Sequence, residues 1–172
     1  SSVKSLFIPA TVEEFKEGWF NESSDLKIVT ISPENKNFKY LDEEHKIIVG
    51  KSDNNYEIFD TIIFVSRDIK QVKIPKQIKY ILPNLFEKCK KLKSFEISEG
   101  SEISTIYENI FADSSVKTIK LPSSIVEFED GWCNEASKLT EVIISAGNKN
   151  FNYMDCINWY SNTNKPKTAK IS

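Results

Sequence analysis

Residues 1–42, SSVKSLFIPATVEEFKEGWFNESSDLKIVTISPENKNFKYLD, return without a gap as residues 114–155, SSVKTIKLPSSIVEFEDGWCNEASKLTEVIISAGNKNFNYMD. About half of the aligned positions are identical, and most of the others keep size or polarity. Self-similarity of this kind marks a repeat architecture before any single element is assigned. The chain therefore reads as a long unit followed by part of a second copy.

A shorter period lies inside the long unit. Aligning Pro9, Pro75 and Pro122 superimposes Val12 on Ile78 and Ile125, Phe15 on Ile81 and Phe128, and Phe20 on Phe86 and Cys133. Leu26, Leu92 and Leu139 then coincide, followed by Val29, Phe95 and Val142 and by Ile31, Ile97 and Ile144. A weaker unit fills Ser98 to Leu121, with Ile103, Ile106, Phe111, Val116, Ile119 and Leu121 in the apolar places. A pattern such as Leu26-x-x-Val29-x-Ile31 puts apolar side chains two apart on one face of a short strand. One such strand cannot bury itself. Stacked copies can, with parallel strands about 4.8 Å apart and the apolar rungs forming one continuous core.

The segment between Pro and Leu makes the return trip, with Val12, Phe15, Trp19 and Phe20 pointing inward and the remainder read as a turn plus a short helical piece. Residues 33–68 interrupt the period with two strand-like runs, KIIVG and DTIIFVS, around a Ser-Asp-Asn-Asn turn signal, and read as an inserted β-hairpin coil. Residues 156–172 read as a cap or a truncated copy of that insertion. The expected fold is one α/β solenoid over 1–172, a right-handed superhelix with a parallel concave sheet and short helical or irregular convex segments.

The units VKIPKQIKYILPNLFEKCKKLKSFEIS, IKLPSSIVEFEDGWCNEASKLTEVIIS and LFIPATVEEFKEGWFNESSDLKIVTIS resemble the BspA-like, or Treponema-type, leucine-rich repeats. The likeness extends over nearly the whole chain, although the unit from Ser98 to Leu121 loses the Cys and the Leu spacing. The resemblance implies a leucine-rich-repeat fold, a place on the surface of bacteria or mucosal protists, and adhesion to host extracellular proteins or other cells. It implies no catalytic residues, because the motif positions are the core.

Composition narrows the function classes. With 23 Lys+Arg against 25 Asp+Glu the net charge is -2, so bulk charge gives no support to nucleic-acid binding. Hydrophobic residues make up 40% and charged residues 28%, a globular balance. Five glycines and one histidine leave little material for phosphate loops or His-centred catalysis. Cys89, Cys133 and Cys156 are too scattered for a disulfide framework or a zinc ribbon. No apolar run approaches the roughly 18 residues of a membrane span, and the expectation is a soluble chain, a mature or excised piece.

Two surfaces carry the functional reading. The residue after the apolar position that opens each strand is Lys4, Lys27, Lys70, Lys93 and Lys117, a row that stacking would align into a basic stripe for an acidic partner or glycan, or a solvated edge that resists aggregation. The outward strand positions are Phe7, Ile28, Thr30, Lys73, Glu96, Lys120 and Ile143, a mixture suited to protein contact. His45 beside Asp42, Glu43 and Glu44 reads as a charged turn, Cys89 and Cys133 as small core residues, and Trp19 and Trp132 as packing residues. Asn21-Glu22-Ser23 is a glycosylation sequon without a counterpart in the second copy. The functional expectation is a non-catalytic protein-interaction module of adhesion type on the cell surface, or secreted, with an extracellular-matrix or cell-surface protein as partner. A cytoplasmic scaffold within a larger assembly is the alternative. No cofactor, metal or nucleic acid is expected.

Overall fold

The computed structural model describes residues 3–16, 18–20, 23–150 and 168–171. In chain order the strands are β1 (Ser5–Ile8), β2 (Ile28–Ile31), β3 (Lys39–Tyr40), β4 (Ile47–Gly50), β5 (Thr61–Val65), β6 (Gln71–Ile74) and β7 (Tyr80–Ile81). They continue as β8 (Ser94–Ile97), β9 (Thr105–Ile106), β10 (Thr118–Leu121), β11 (Glu127–Phe128), β12 (Glu141–Ile144) and β13 (Thr168–Ile171). The repeat strands form parallel ladders, β1 with β2 and then β6-β8-β10-β12-β13. Val72 lies opposite Phe95, Phe95 opposite Ile119, and Ile119 opposite Val142, so the apolar rungs stack in register. Of the segment 156–172, only the backbone of β13 is described.

Inward residues alternate with outward ones because a strand repeats every two residues. β6 and β10 bury Val72, Ile74, Ile119 and Leu121 and expose Lys73 and Lys120. An aromatic column runs through the coils: the Phe95 ring packs edge-on against Phe86 and Phe111 at 5.1 and 4.8 Å between centroids, and Phe111 meets Trp132 at 6.3 Å. Trp132 is buried, as a packing residue should be. Trp19 stacks on Phe15 at 4.2 Å, and its indole N–H donates to the Ile63 carbonyl at 3.3 Å.

The helical part of the expected α/β class is corrected. Among the described residues no helix forms, and the return segments run as turns and two-residue strands. The backbone shows why. Gly18, Asn84, Asn109 and Gly131 occupy equivalent places with φ of 74°, 59°, 52° and 71°, and four residues later Lys88, Asp113 and Glu135 have φ of 58°, 53° and 54°. Two left-handed residues four apart exclude a right-handed helix between them. The turns stack instead: the Phe86 and Lys88 amides donate to Ile110 and Ala112, and the Phe111 and Asp113 amides to Trp132 and Asn134, at 2.9–3.0 Å.

β4 and β5 form an antiparallel hairpin with an irregularity between Ile48 and Val49, β3 pairs β4, and β5 joins β7 in parallel. This inserted coil separates β2 from β6 in the main ladder. The open edge of β2 needs hydrogen-bond partners, and the insertion supplies them. The Tyr40 hydroxyl accepts from the Ile31 amide and donates to the Val29 carbonyl, both at 3.0 Å. The Arg67 amide and the Ser66 hydroxyl donate to the Leu26 and Lys27 carbonyls at 3.2 and 2.8 Å. Tyr40→Phe is expected to lower stability by about 1–2 kcal/mol, read as a shift in the urea midpoint at unchanged slope. No shift would show that Tyr40 does not hold this edge.

The recurring Asn-Lys-Asn has a matching role. Asn35 Nδ2 donates to the Pro9 and Val12 carbonyls at 2.8 and 3.0 Å, and Asn148 Nδ2 to the Ile125 carbonyl at 2.7 Å. Each asparagine ties the exit of its coil to the return segment of the preceding one, so identity there is structural.

Candidate functional site

The outward strand positions fall on two ladders. On β1 and β2, Phe7 is opposite Thr30 and Ser5 opposite Ile28, which makes Phe7 and Ile28 diagonal neighbours on one face. They are 57% and 61% exposed. On the larger sheet Lys73 is opposite Glu96, Glu96 opposite Lys120, and Lys120 opposite Ile143. Lys73 and Glu96 form an ion pair at 2.8 Å, a surface pair of small energetic weight. With Gln71, Ser94 and Thr118, these side chains line a shallow hollow of about 380 Å³. Ile143 is half-buried and Thr30 exposed.

The insertion divides this face. Between the turn that enters β4 and the start of β6 lies a second hollow, of about 530 Å³, lined by Asp42, Glu43, Glu44, Lys46, Lys70 and Lys73 among others. Lys46 lies 3.0 Å from Glu44 and 3.8 Å from Asp68. The Asp42 carboxylate is committed to its own turn, accepting from the Lys46 and Ile47 amides at 3.0 and 2.7 Å. His45 sits at a φ of 58° with its ring stacked 3.9 Å from Tyr40. These groups shape a turn and do not converge. Among the described residues no set of three or more His, Cys, Asp or Glu side chains is placed to hold a metal.

The lysine row is likewise divided. The Lys27 amide donates to the Lys4 carbonyl at 3.0 Å, Lys93 to Lys70 at 2.7 Å and Lys117 to Lys93 at 2.8 Å, while the Lys27 carbonyl meets Ser66 rather than the Lys70 rung. All five side chains are exposed. Sequence reading missed Lys90, Lys91 and Lys138, which share a hollow with Lys70, Lys93 and Lys117; the run Lys-Cys-Lys-Lys-Leu-Lys at 88–93 was the available signal. It also missed Tyr56 and Ile58, 62% and 55% exposed in the hairpin loop.

The Cys89 thiol is fully buried, and burial raises its pKa despite the nearby Arg67 guanidinium. Burial pushes that of Cys133 up to about 11. Both are free and neither is an activated nucleophile. Cys156 and the sequon residues Asn21 and Glu22 lie outside the described residues. No helix among the described residues is long and apolar enough to cross a membrane.

Comparison with known proteins agrees with this geometry. The BspA type leucine rich repeat region matches in six copies, over residues 1–44 and 57–166. No curated protein matches the chain significantly. Among solved structures, the pneumococcal vaccine antigen PcpA superimposes with a TM-score of 0.63 at 20% identity, over 83% of this chain and 39% of that one. A leucine rich cell surface protein from Faecalibacterium prausnitzii superimposes with a TM-score of 0.61 at 20% identity, over 85% of this chain and 43% of that one. The chain thus spans less than half the length of either, and at this identity the likeness is one of fold.

Proposed function

The chain belongs to the BspA type leucine-rich-repeat family, and on that premise we propose that it is a non-catalytic protein-interaction module of a cell-surface adhesion protein. Its partner is a host extracellular-matrix or cell-surface protein, bound across the outward strand positions. The observation that carries this reading is the diagonal pair Phe7 and Ile28, more than half exposed on adjacent strands of one parallel ladder. Apolar anchors with Thr30 beside them on one ladder, and the polar positions Lys73, Glu96 and Lys120 on the ladder beyond the inserted coil, match the division of protein interfaces into anchor and rim. The descriptions of two structural neighbours, one a vaccine antigen and one a cell surface protein, support a surface or secreted location. The free thiols of Cys89 and Cys133 favour a second reading, an intracellular scaffold in a larger assembly, because oxidising extracellular surroundings favour disulfides.

One experiment separates the two. The chain is immobilised and challenged with extracellular-matrix proteins and, separately, with cell lysate. The expected result is saturable matrix binding that weakens at least about tenfold in Phe7→Asp/Ile28→Asp and is retained in Val126→Asp, a change at an exposed apolar residue outside the face. Binding confined to lysate proteins selects the scaffold, and matrix binding unchanged in the double variant removes these anchors.

A further inference from the structure

The corner where each return segment turns into a strand carries lysine on two registers. Lys70, Lys93 and Lys117 immediately precede β6, β8 and β10, and two residues earlier than the strand-entry position stand Lys91, Ser115 and Lys138 in consecutive coils. With Lys90 they line one open hollow of about 580 Å³. Backbone bonds at 2.7 and 2.8 Å between Lys93 and Lys70 and between Lys117 and Lys93 hold the rungs in step. Lys90 pairs with Asp113. The other five lysines make no ion pair with any described residue.

Rungs about 4.8 Å apart put the strand-entry lysines of successive coils on backbones closer than one Debye length, about 8 Å at physiological ionic strength, and their side chains line the same hollow. Their repulsion is only partly screened, and a bound polyanion would relieve it. The chain as a whole carries a net charge of -2, so the concentration of cations is local and not a consequence of composition.

The lining also restricts what the ligand can be. The hollow offers ammonium groups and the Ser115 hydroxyl, with no aromatic ring, and therefore no platform on which single-stranded bases would stack. The chain's one arginine, Arg67, is buried elsewhere, so the planar fork that grips a carboxylate at two points is absent from the lining. An extended acidic peptide would present same-face carboxylates about 6.6 Å apart, out of step with the rungs, and would find no apolar socket to fix its register. A chain of closely spaced, freely rotating point anions meets none of these objections. We infer that the lysine corner of consecutive coils binds a sulfated polysaccharide. The inference does not rest on the strand-face reading and concerns a different edge of the coils.

Heparin serves as the probe, titrated into the full chain at several salt concentrations. Binding is expected, with affinity falling about a hundredfold between 50 and 200 mM salt if some four contacts release counterions on the scale of a DNA-like polyanion. The variant Lys93→Glu/Lys117→Glu/Lys138→Glu should lose it. The control Lys16→Glu/Lys36→Glu/Lys76→Glu, with the same change in net charge, and Phe7→Asp/Ile28→Asp should keep it. Differential acetylation of the unaltered protein gives a second readout that does not depend on a variant folding: heparin should protect Lys91, Lys93, Lys117 and Lys138 over Lys16 and Lys36. Absence of binding, equal loss in the charge control, uniform protection, or equally tight binding of polyglutamate or oligo-dT would each overturn the inference.

Discussion

Phe111→Ala is expected to lower the unfolding free energy by about 3–5 kcal/mol, the range for truncating a fully buried aromatic ring. The Phe111 side chain has no solvent exposure and touches the rings of Phe86, Phe95 and Trp132. It belongs to the coil whose repeat signature is weakest, so its ring is what carries the aromatic column across that coil. In a solenoid each coil is held by its neighbours, and a gap here weakens two interfaces at once. Urea unfolding followed by far-ultraviolet circular dichroism measures the effect. A loss under about 1 kcal/mol would mean that the column is not a principal source of stability.

Arg67→Ala is expected to cost about 2–4 kcal/mol. Arg67 is 4% exposed, yet no described carboxylate pairs with it. Its guanidinium instead donates to the Leu85 and Glu87 carbonyls at 3.2 and 2.6 Å and lies 4.9 Å from the centre of the Phe20 ring. These contacts join the inserted coil to the coils before and after it. Alanine would strand two carbonyls and empty a packed site. The buried charge itself carries a desolvation penalty, and its Nε has no partner, so Arg67→Met separates the contributions. Recovery of most of the loss in Arg67→Met would show that packing dominates. A loss in Arg67→Met as large as in Arg67→Ala would show that the carbonyl bonds dominate.

The parallel ladder was legible because its signal is repeated. Val72, Phe95, Ile119 and Val142 recur at the same place in successive units and occupy neighbouring rungs. One strand of four residues carries little information, whereas several in phase leave one arrangement that buries them all. The return segments were misread as partly helical because Val12, Phe15, Ile78 and Ile81 have spacings that suit a helical turn. Asparagine at 84 and 109 and lysine at 88 do not announce a positive φ as glycine does. The split of the lysine row between Lys27 and Lys70 was also hidden. It depends on Tyr40, Ser66 and Arg67 completing the edge of β2, contacts between residues remote in sequence. The second lysine register was in view at residues 88–93, but its meaning required the stacking of Lys91 with Ser115 and Lys138.

If the strand face is the surface that meets a partner, a bound matrix protein covers it. Mass-spectrometric footprinting of the chain bound to a matrix protein tests this most directly. The prediction is protection of Phe7, Ile28, Lys73 and Lys120, with Tyr80 and Val126 on the return side labelled as in the free chain. Protection confined to Tyr80 and Val126, with the strand positions unchanged, would contradict it.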